Sequence, residues 1–330
     1  MIDTALMLLL LIILINIVRG SHVNMTQLHN RKCYQYPFKY CIIDDIFNSN
    51  VLITLLNDIN NLNDINANRY YNDLNDKFEY NKYAFNSFDS YHNLISLFTE
   101  LNSIDFIKHI ESITGISNLI TNDITLKGAG IHRIKNNGFL KLHTDFNSYI
   151  SDNNGKLDRR INLLIYMNPN WKDEYNGHLW LCTQSDMVCI EPISPILNRA
   201  VVFSTTNSSI HGHPILLHVP EGIRRHSIAV YYYTKNNDEY EKKITPTTWY
   251  EEKEFTVPEL LIKFPVQIDV YGNDDKKTSS IIDIRLYKNQ NITANVIKLC
   301  NEHRLDNSNC QNLLIYCQGQ LEQMEVNNSQ

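Results

Sequence analysis

The chain has no excess of basic charge: 30 Lys and Arg stand against 36 Asp and Glu, for a net charge of −6. That removes the electrostatic footprint expected of a nucleic-acid or anionic-lipid binder. It also lacks an apolar run long enough to cross a bilayer. Ala5 to Val18 is apolar except for Asn16, short of the roughly 20 residues a spanning helix needs. The run ends at Arg19-Gly20-Ser21, which supplies small residues suited to cleavage, so residues 1–20 read as a signal peptide. The basic residue that normally precedes such a run is missing, and Asp3 is the only charge there. A membrane anchor over residues 5–18 is therefore the alternative, and a membrane enters only if the leader is not cleaved.

At 330 residues the chain can bury a substantial core, with room for one large domain and a small one. Asparagine-rich runs such as Asn60-Asn61 and Asn136-Asn137 carry no mechanism. The seven cysteines fit an oxidising compartment and fall into clusters. Cys33 lies near Cys41, Cys182 near Cys189, and Cys300, Cys310 and Cys317 form a trio from which one thiol is left over. Cys182 and Cys189 flank a hairpin-length segment, so they either pair across it or stay as buried thiols. Asn-x-Ser/Thr sequons at Asn24, Asn207, Asn291 and Asn327 agree with secretion, by way of the endoplasmic reticulum lumen.

Along the chain, Tyr40 to Ile46 reads as a strand, and Asn48 to Asn60 has its apolar residues at helical spacing. Leu94 to Leu101 and Ile104 to Ile113 predict two more helices ending at Gly115. After Ile116 the pattern changes to short strands: Ala129–Ile134, Leu140–His143, Arg160–Met167, His178–Cys182, Val188–Ile190, Ala200–Ser204 and Ser227–Thr234. Short strands at this spacing indicate an antiparallel sandwich or barrel. The polar stretch Lys235–Lys243 with Thr245-Pro246-Thr247 marks a boundary. Beyond it, Val266–Tyr271 and Ile281–Tyr287 alternate as paired strands, and helices follow over Thr293–His303 and Asn309–Tyr316. This C-terminal part carries no visible chemistry. The division is then a leader (1–20), a helical and strand support (21–120), a β core (121–240) and a small α+β module (250–330).

Within the core, His143 and Asp145 are two residues apart at a strand end, so alternation puts both on one face. One His-x-acid spacing is expected by composition alone with 12 histidines and 36 acidic residues, so context decides. Two imidazoles and one carboxylate on one side of a metal, with three open positions opposite, are what non-haem Fe(II) oxygenases use. Alternation allows either His211 or His213 as the third ligand. Arg225 opens an apolar strand that carries it into the barrel, where a lone charge is costly. Its guanidinium fits a carboxylate bidentately, with Ser227 two residues along on the same face and the Tyr166 phenol as further donors. The competing reading gives Arg225 an internal salt bridge and Tyr166 ordinary packing.

These residues resemble the Fe(II)- and 2-oxoglutarate-dependent dioxygenases of the prolyl-hydroxylase type, from about Tyr36 to Thr234. The blocks that carry the resemblance include Pro37-Phe38, Gly128-Ala129-Gly130, Leu142-His143-Thr144-Asp145-Phe146-Asn147, and Arg159-Arg160-Ile161-Asn162 through Tyr166-Met167-Asn168. They continue with Trp171, Asn176-Gly177-His178-Leu179, Asn198-Arg199, His211-Gly212-His213-Pro214 and Arg224-Arg225-His226-Ser227. Asn176-Gly177 departs from a common glycine pair, and the resemblance leaves out the C-terminal module.

The resemblance implies a mainly β fold with flanking helices: a double-stranded β-helix, jelly-roll or cupin-like, with N-terminal supporting helices and the small C-terminal α+β module. It implies that His143, Asp145 and His211 hold Fe(II), and that 2-oxoglutarate meets Arg225 with Tyr166. The implied reaction consumes dioxygen, releases succinate and CO2, and hydroxylates an unactivated C–H bond, with ascorbate as reductant. The expected acceptor is a prolyl residue in a peptide or protein; lysyl or other side chains, or a small molecule, are alternatives. Two other classes compete: a catalytically silent binding module with the same barrel, and a partner-binding role centred on the C-terminal module.

Overall fold

The computed structural model describes residues 21–71, 77–123, 125–152, 154–184, 188–190, 192–235, 244–250, 260–271, 277–287, 292–293, 296, 300, 305 and 307–327. The expected leader lies outside them, as does most of the helix expected over Thr293–His303. No helix among the described residues is long and apolar enough to cross a membrane. The chain divides into two units, residues 1–186 with 192–254, and residues 187–191 with 255–330.

In the first unit the strands are β1 (Lys32–Tyr34), β2 (Tyr40–Ile43), β3 (Arg69–Tyr71), β4 (Glu79–Phe85), β5 (Gly130–Thr144), β6 (Ser148–Ser151), β7 (Gly155–Tyr166), β8 (Trp180–Cys182), β9 (Ala200–Ser204), β10 (Ile210–His213), β11 (Arg225–Lys235) and β12 (Thr248–Trp249). The helices are α1 (Met25–His29), α2 (Ser49–Asn61), α3 (His92–Leu101) and α4 (Ile104–Thr114). The strands form one folded antiparallel sheet whose main path runs β1-β2-β9-β7-β11-β5-β10-β8.

The fold turns on β5. Where the sequence suggests two strands, the structure has one that changes partners midway. Gly130–Ile134 pairs with β11, and Leu140–His143 pairs with β10. Between the two halves, Asn137 takes a left-handed φ of 63°, and Gly138 lies so close to the Lys135 and Tyr80 carbonyls that a Cβ would meet them at 2.8 and 2.9 Å. An irregularity of this kind bends a strand and lets one sheet feed another. β9-β7-β11-β5 and β5-β10-β8 thereby become the two facing sheets of a double-stranded β-helix, as the resemblance implies.

Side-chain alternation then gives the larger sheet two faces. Leu163 and Ile165 of β7, and Ile228, Val230 and Tyr232 of β11, share one apolar core with Leu55, Ile59, Leu94, Leu97, Phe106 and Ile110 from α2, α3 and α4. Each such fully buried aliphatic side chain contributes about 1.5–3 kcal/mol. α4 is capped as its ends require: Ser103 Oγ accepts from Phe106 N at 3.3 Å, and Gly115 closes the helix at φ 73°. The opposite face carries Asn162, Leu164, Arg225, Ser227 and Tyr231, all lining one cavity.

The second unit pairs β13 (Leu260–Tyr271) with β14 (Lys277–Tyr287) and contains α5 (Asn307–Asn327), longer than the helix expected over Asn309–Tyr316. Val296, Cys300, Leu313 and Cys317 make its small core. Disulfides join Cys33 to Cys41 and Cys300 to Cys310, Cys182 and Cys189 are each disulfide-bonded, and Cys317 is the thiol left over. Val188–Ile190, expected as a strand, is not one of the regular strands among the described residues. The first unit runs on to residue 254, past the Thr245-Pro246-Thr247 stretch where the sequence suggests a boundary.

Candidate active site

His143 is the last residue but one of β5, and His211 lies directly opposite it on β10. With Asp145, one residue past β5, their ligand atoms all lie within 4.8 Å of one another, the metal-capable cluster found among the described residues. His143 Nε2 is 3.6 Å from Asp145 Oδ1, and His211 Nε2 is 3.4 Å from Oδ2. Each imidazole has its other nitrogen beside a backbone carbonyl, His143 Nδ1 at 2.8 Å from Lys141 O and His211 Nδ1 at 2.9 Å from Ser209 O. A carbonyl can only accept, so each Nδ1 donates its N–H there, leaving Nε2 as the nitrogen that faces Asp145. That is the tautomer a metal-binding histidine needs, set by the partner of its far nitrogen. Two imidazoles and one carboxylate on one side fit a ferrous ion. His213 is outside this cluster.

Asp145 is held from behind. Arg159 Nη2 lies 2.9 Å from its Oδ2, and Asn162 Nδ2 donates to the same oxygen at 2.7 Å. Arg159 in turn donates from Nε and Nη2 to Asn162 Oδ1 at 3.0 and 2.8 Å. Burial alone would push the Asp145 carboxyl up, but Arg159, then His211 and His143, hold it well below the usual carboxylate range. Burial lowers His211 to about 4 against the pull of Asp145, keeping the ring neutral, as a ligand must be. Arg159 lies 3.4 Å over the Tyr231 ring and 4.7 Å from Phe146, an arrangement that favours a cation.

The cluster opens into a cavity of about 180 Å³ whose lining includes Arg225, Ser227, His213, Arg159 and Trp249. Arg225 is 3% exposed, and its Nε donates to Gly177 O at 2.7 Å. Other buried arginines have a carboxylate: Arg133 has Asp64 at 2.6 Å and Arg159 has Asp145. Among the described residues no carboxylate pairs with Arg225, so the internal salt bridge considered above is not there. Tyr166 lies beside it, the Arg225 guanidinium carbon 5.0 Å from the ring centre. Tyr166 is not among the residues lining the cavity, and its buried hydroxyl meets no hydrogen-bond partner among the described residues; burial raises its pKa, with Arg225 opposing. Ser227 does line the cavity, as its position two residues from Arg225 requires.

Gly177 lets Arg225 sit where it does. It takes φ 74°, and a Cβ there would meet Arg225 Cδ at 2.9 Å. At the other end of the cavity, β12 adds to β5 with Trp249 opposite His143. The Trp249 ring centre is 4.8 Å from that of His143 and 5.0 Å from that of Phe78, stacked on the latter.

Residues 129–233 match the family model described as the 2OG-Fe(II) oxygenase superfamily. No curated protein sequence matches the chain. Among solved structures, the chain is similar to a prolyl hydroxylase in complex with a hypoxia inducible factor peptide fragment from Trichoplax adhaerens, at 18% identity and a TM-score of 0.42, over 59% of this chain and 83% of that one. It is also similar to a prolyl-4-hydroxylase from Pseudomonas putida, at 13% identity and a TM-score of 0.39, over 60% and 92%. A third is HygX from Streptomyces hygroscopicus with nickel and 2-oxoglutarate bound, at 10% identity and a TM-score of 0.39, over 71% and 100%. Residues 129–233, which carry the His143, Asp145 and His211 cluster, thus match the 2OG-Fe(II) oxygenase superfamily, and that match supports a 2-oxoglutarate-dependent dioxygenase.

Proposed function

We propose that this protein hydroxylates prolyl residues of a peptide or protein, using Fe(II), 2-oxoglutarate and dioxygen, with ascorbate as reductant. The observation that carries the reading is Arg225: a buried guanidinium with no carboxylate partner among the described residues, in the same cavity as two imidazoles and a carboxylate arranged for a metal. Such a cation needs an anion from outside the protein, and a 2-oxo dicarboxylate supplies one.

In this reading His143, Asp145 and His211 hold the metal, while Arg159 and Asn162 keep Asp145 ionised and aimed. Arg225 takes the far carboxylate of the co-substrate, and Ser227 adds a hydrogen bond. Bound together, ferrous iron and 2-oxoglutarate activate dioxygen, releasing succinate and CO2 as a C–H bond becomes C–OH. Trp249, half-buried beside His143, offers an aromatic face at the acceptor end. A saturated ring such as proline packs well on such a face, which favours a prolyl acceptor over a polar small molecule. The disulfides support an oxidising compartment, and with it the secretory pathway as the place of action.

The test starts from anaerobically purified full chain supplied with Fe(II) and 2-oxoglutarate, then exposed to air with and without proline-rich peptides. Succinate formation stimulated by peptide, with a gain of one oxygen on proline by mass spectrometry, is the expected result. Succinate without any peptide gaining oxygen would move the acceptor to another class. No succinate under any condition would end the enzymatic reading. Sequencing the N-terminus of the protein recovered from a secretory host tests the compartment and the leader.

A further inference from the structure

His213 is 3% exposed, and neither of its ring nitrogens has a hydrogen-bond partner among the described residues. Buried polar atoms are nearly always paired, and an unpaired one carries a desolvation penalty that an apolar side chain of similar size would avoid. The position has no need of polarity for the fold: its partner across the ladder is Leu140. The imidazole instead borders the cavity that also contains the metal cluster and Arg225. The charged groups that act on it most strongly are Arg225 and Lys82, followed by the His143 ring. Lys82 is engaged by Glu79 at 2.8 Å, so Arg225 is the one of the two cations that lacks a carboxylate among the described residues.

An imidazole in either tautomer has one N–H to give. A carboxylate accepts at four lone-pair sites, more than one guanidinium whose Nε is already committed to Gly177 O can fill. We propose that His213 is a positioning residue that donates a hydrogen bond to the co-substrate carboxylate held by Arg225, so that the site selects dicarboxylate over monocarboxylate 2-oxo acids. This rests on the reading above that Arg225 receives that carboxylate. His213 then has a role separate from the metal, although it is only two residues from His211.

The experiment measures binding of 2-oxoglutarate and of 2-oxobutyrate, which lacks the far carboxylate, to the full chain loaded with redox-inert Zn(II). Wild type is compared with His213→Leu, His213→Gln and Arg225→Met by calorimetry. Loss of one charge-assisted hydrogen bond corresponds to about a tenfold loss of affinity. His213→Leu is expected to weaken 2-oxoglutarate by that factor and leave 2-oxobutyrate unchanged, with His213→Gln recovering most of the loss. The ligand-free His213→Leu protein is expected to melt higher than wild type, because the unpaired imidazole is gone.

Unchanged 2-oxoglutarate affinity in His213→Leu, alongside weakened binding in Arg225→Met, would overturn the proposal and leave the co-substrate reading standing. Unchanged binding in Arg225→Met would remove that reading itself. Should His213→Leu not fold, wild type with nitrogen-labelled histidine decides. A His213 N–H signal moved downfield by 2-oxoglutarate but not by 2-oxobutyrate supports the proposal, and no such difference overturns it.

Discussion

Arg159 Nη2 lies 2.9 Å from Asp145 Oδ2, so the oxygen-donor ligand of the proposed metal site is itself ion-paired. Groups that orient a ligand are typically worth 10- to 100-fold in metal affinity. Arg159→Leu is therefore expected to weaken Co(II) or Zn(II) binding by at least about tenfold, measured by metal titration of the ligand-free protein. Equal metal affinity in the variant would reduce Arg159 to a packing role.

Gly177→Ala places a methyl group against Arg225 Cδ at a left-handed position. A shift of about 1 Å in a substrate-orienting group can cost up to about a hundredfold. The substitution is expected to raise the 2-oxoglutarate requirement severalfold while leaving metal affinity within error, a split that binding titrations of each ligand resolve.

Trp249→Ala removes the aromatic face beside His143. If the acceptor packs there, its KM rises by roughly tenfold, about the value of burying a small apolar ring, and by more than kcat falls. An unchanged KM for every accepted peptide would place the acceptor elsewhere.

His226 gives a pH signature unrelated to the metal. It is buried, and its Nε2 accepts at 2.9 Å from Nε of Arg133, whose other nitrogens donate to Ile59 O and Leu62 O at the end of α2. Burial, then Arg133, lowers its pKa to about 3, against about 6.5 for an unfolded histidine. The unfolded chain thus takes the proton first, so the contribution is whole above about pH 6.5 and is lost as pH falls toward 3. Removing one such group is expected to reduce the slope of unfolding free energy between pH 6 and 4 by up to about 1.4 kcal/mol per pH unit. His226→Gln, which keeps an acceptor for Arg133, isolates that slope in denaturant titrations; an unaltered slope would mean His226 is protonated in the native state.

What the sequence revealed follows from where its strands are regular. His143 and Asp145 were legible because two residues on a strand share a face, and Arg225 with Ser227 for the same reason. Arg159 and Asn162 were not, because three residues apart they should face opposite ways. The ladder between β7 and β11 slips there: Tyr232 pairs with Ile161 but Tyr233 with Arg159, leaving Arg160 as an extra residue that turns Arg159 back toward Asn162. Two strands were expected where β5 runs unbroken, since Asn136-Asn137-Gly138 reads as a turn, whereas here it is a bend within one strand. Strand β4 and the Trp249 wall come from segments far from the motif, and no local pattern announces either pairing.

The short strand β12 sets a practical limit on dissecting the molecule. The family match ends at residue 233, yet Tyr250 N bonds to Leu142 O at 3.0 Å and Trp249 sits against a candidate ligand. A fragment cut at the end of the match would expose the His143 ring to bulk water from one side. The smallest useful fragment of this protein should therefore extend at least through Tyr250.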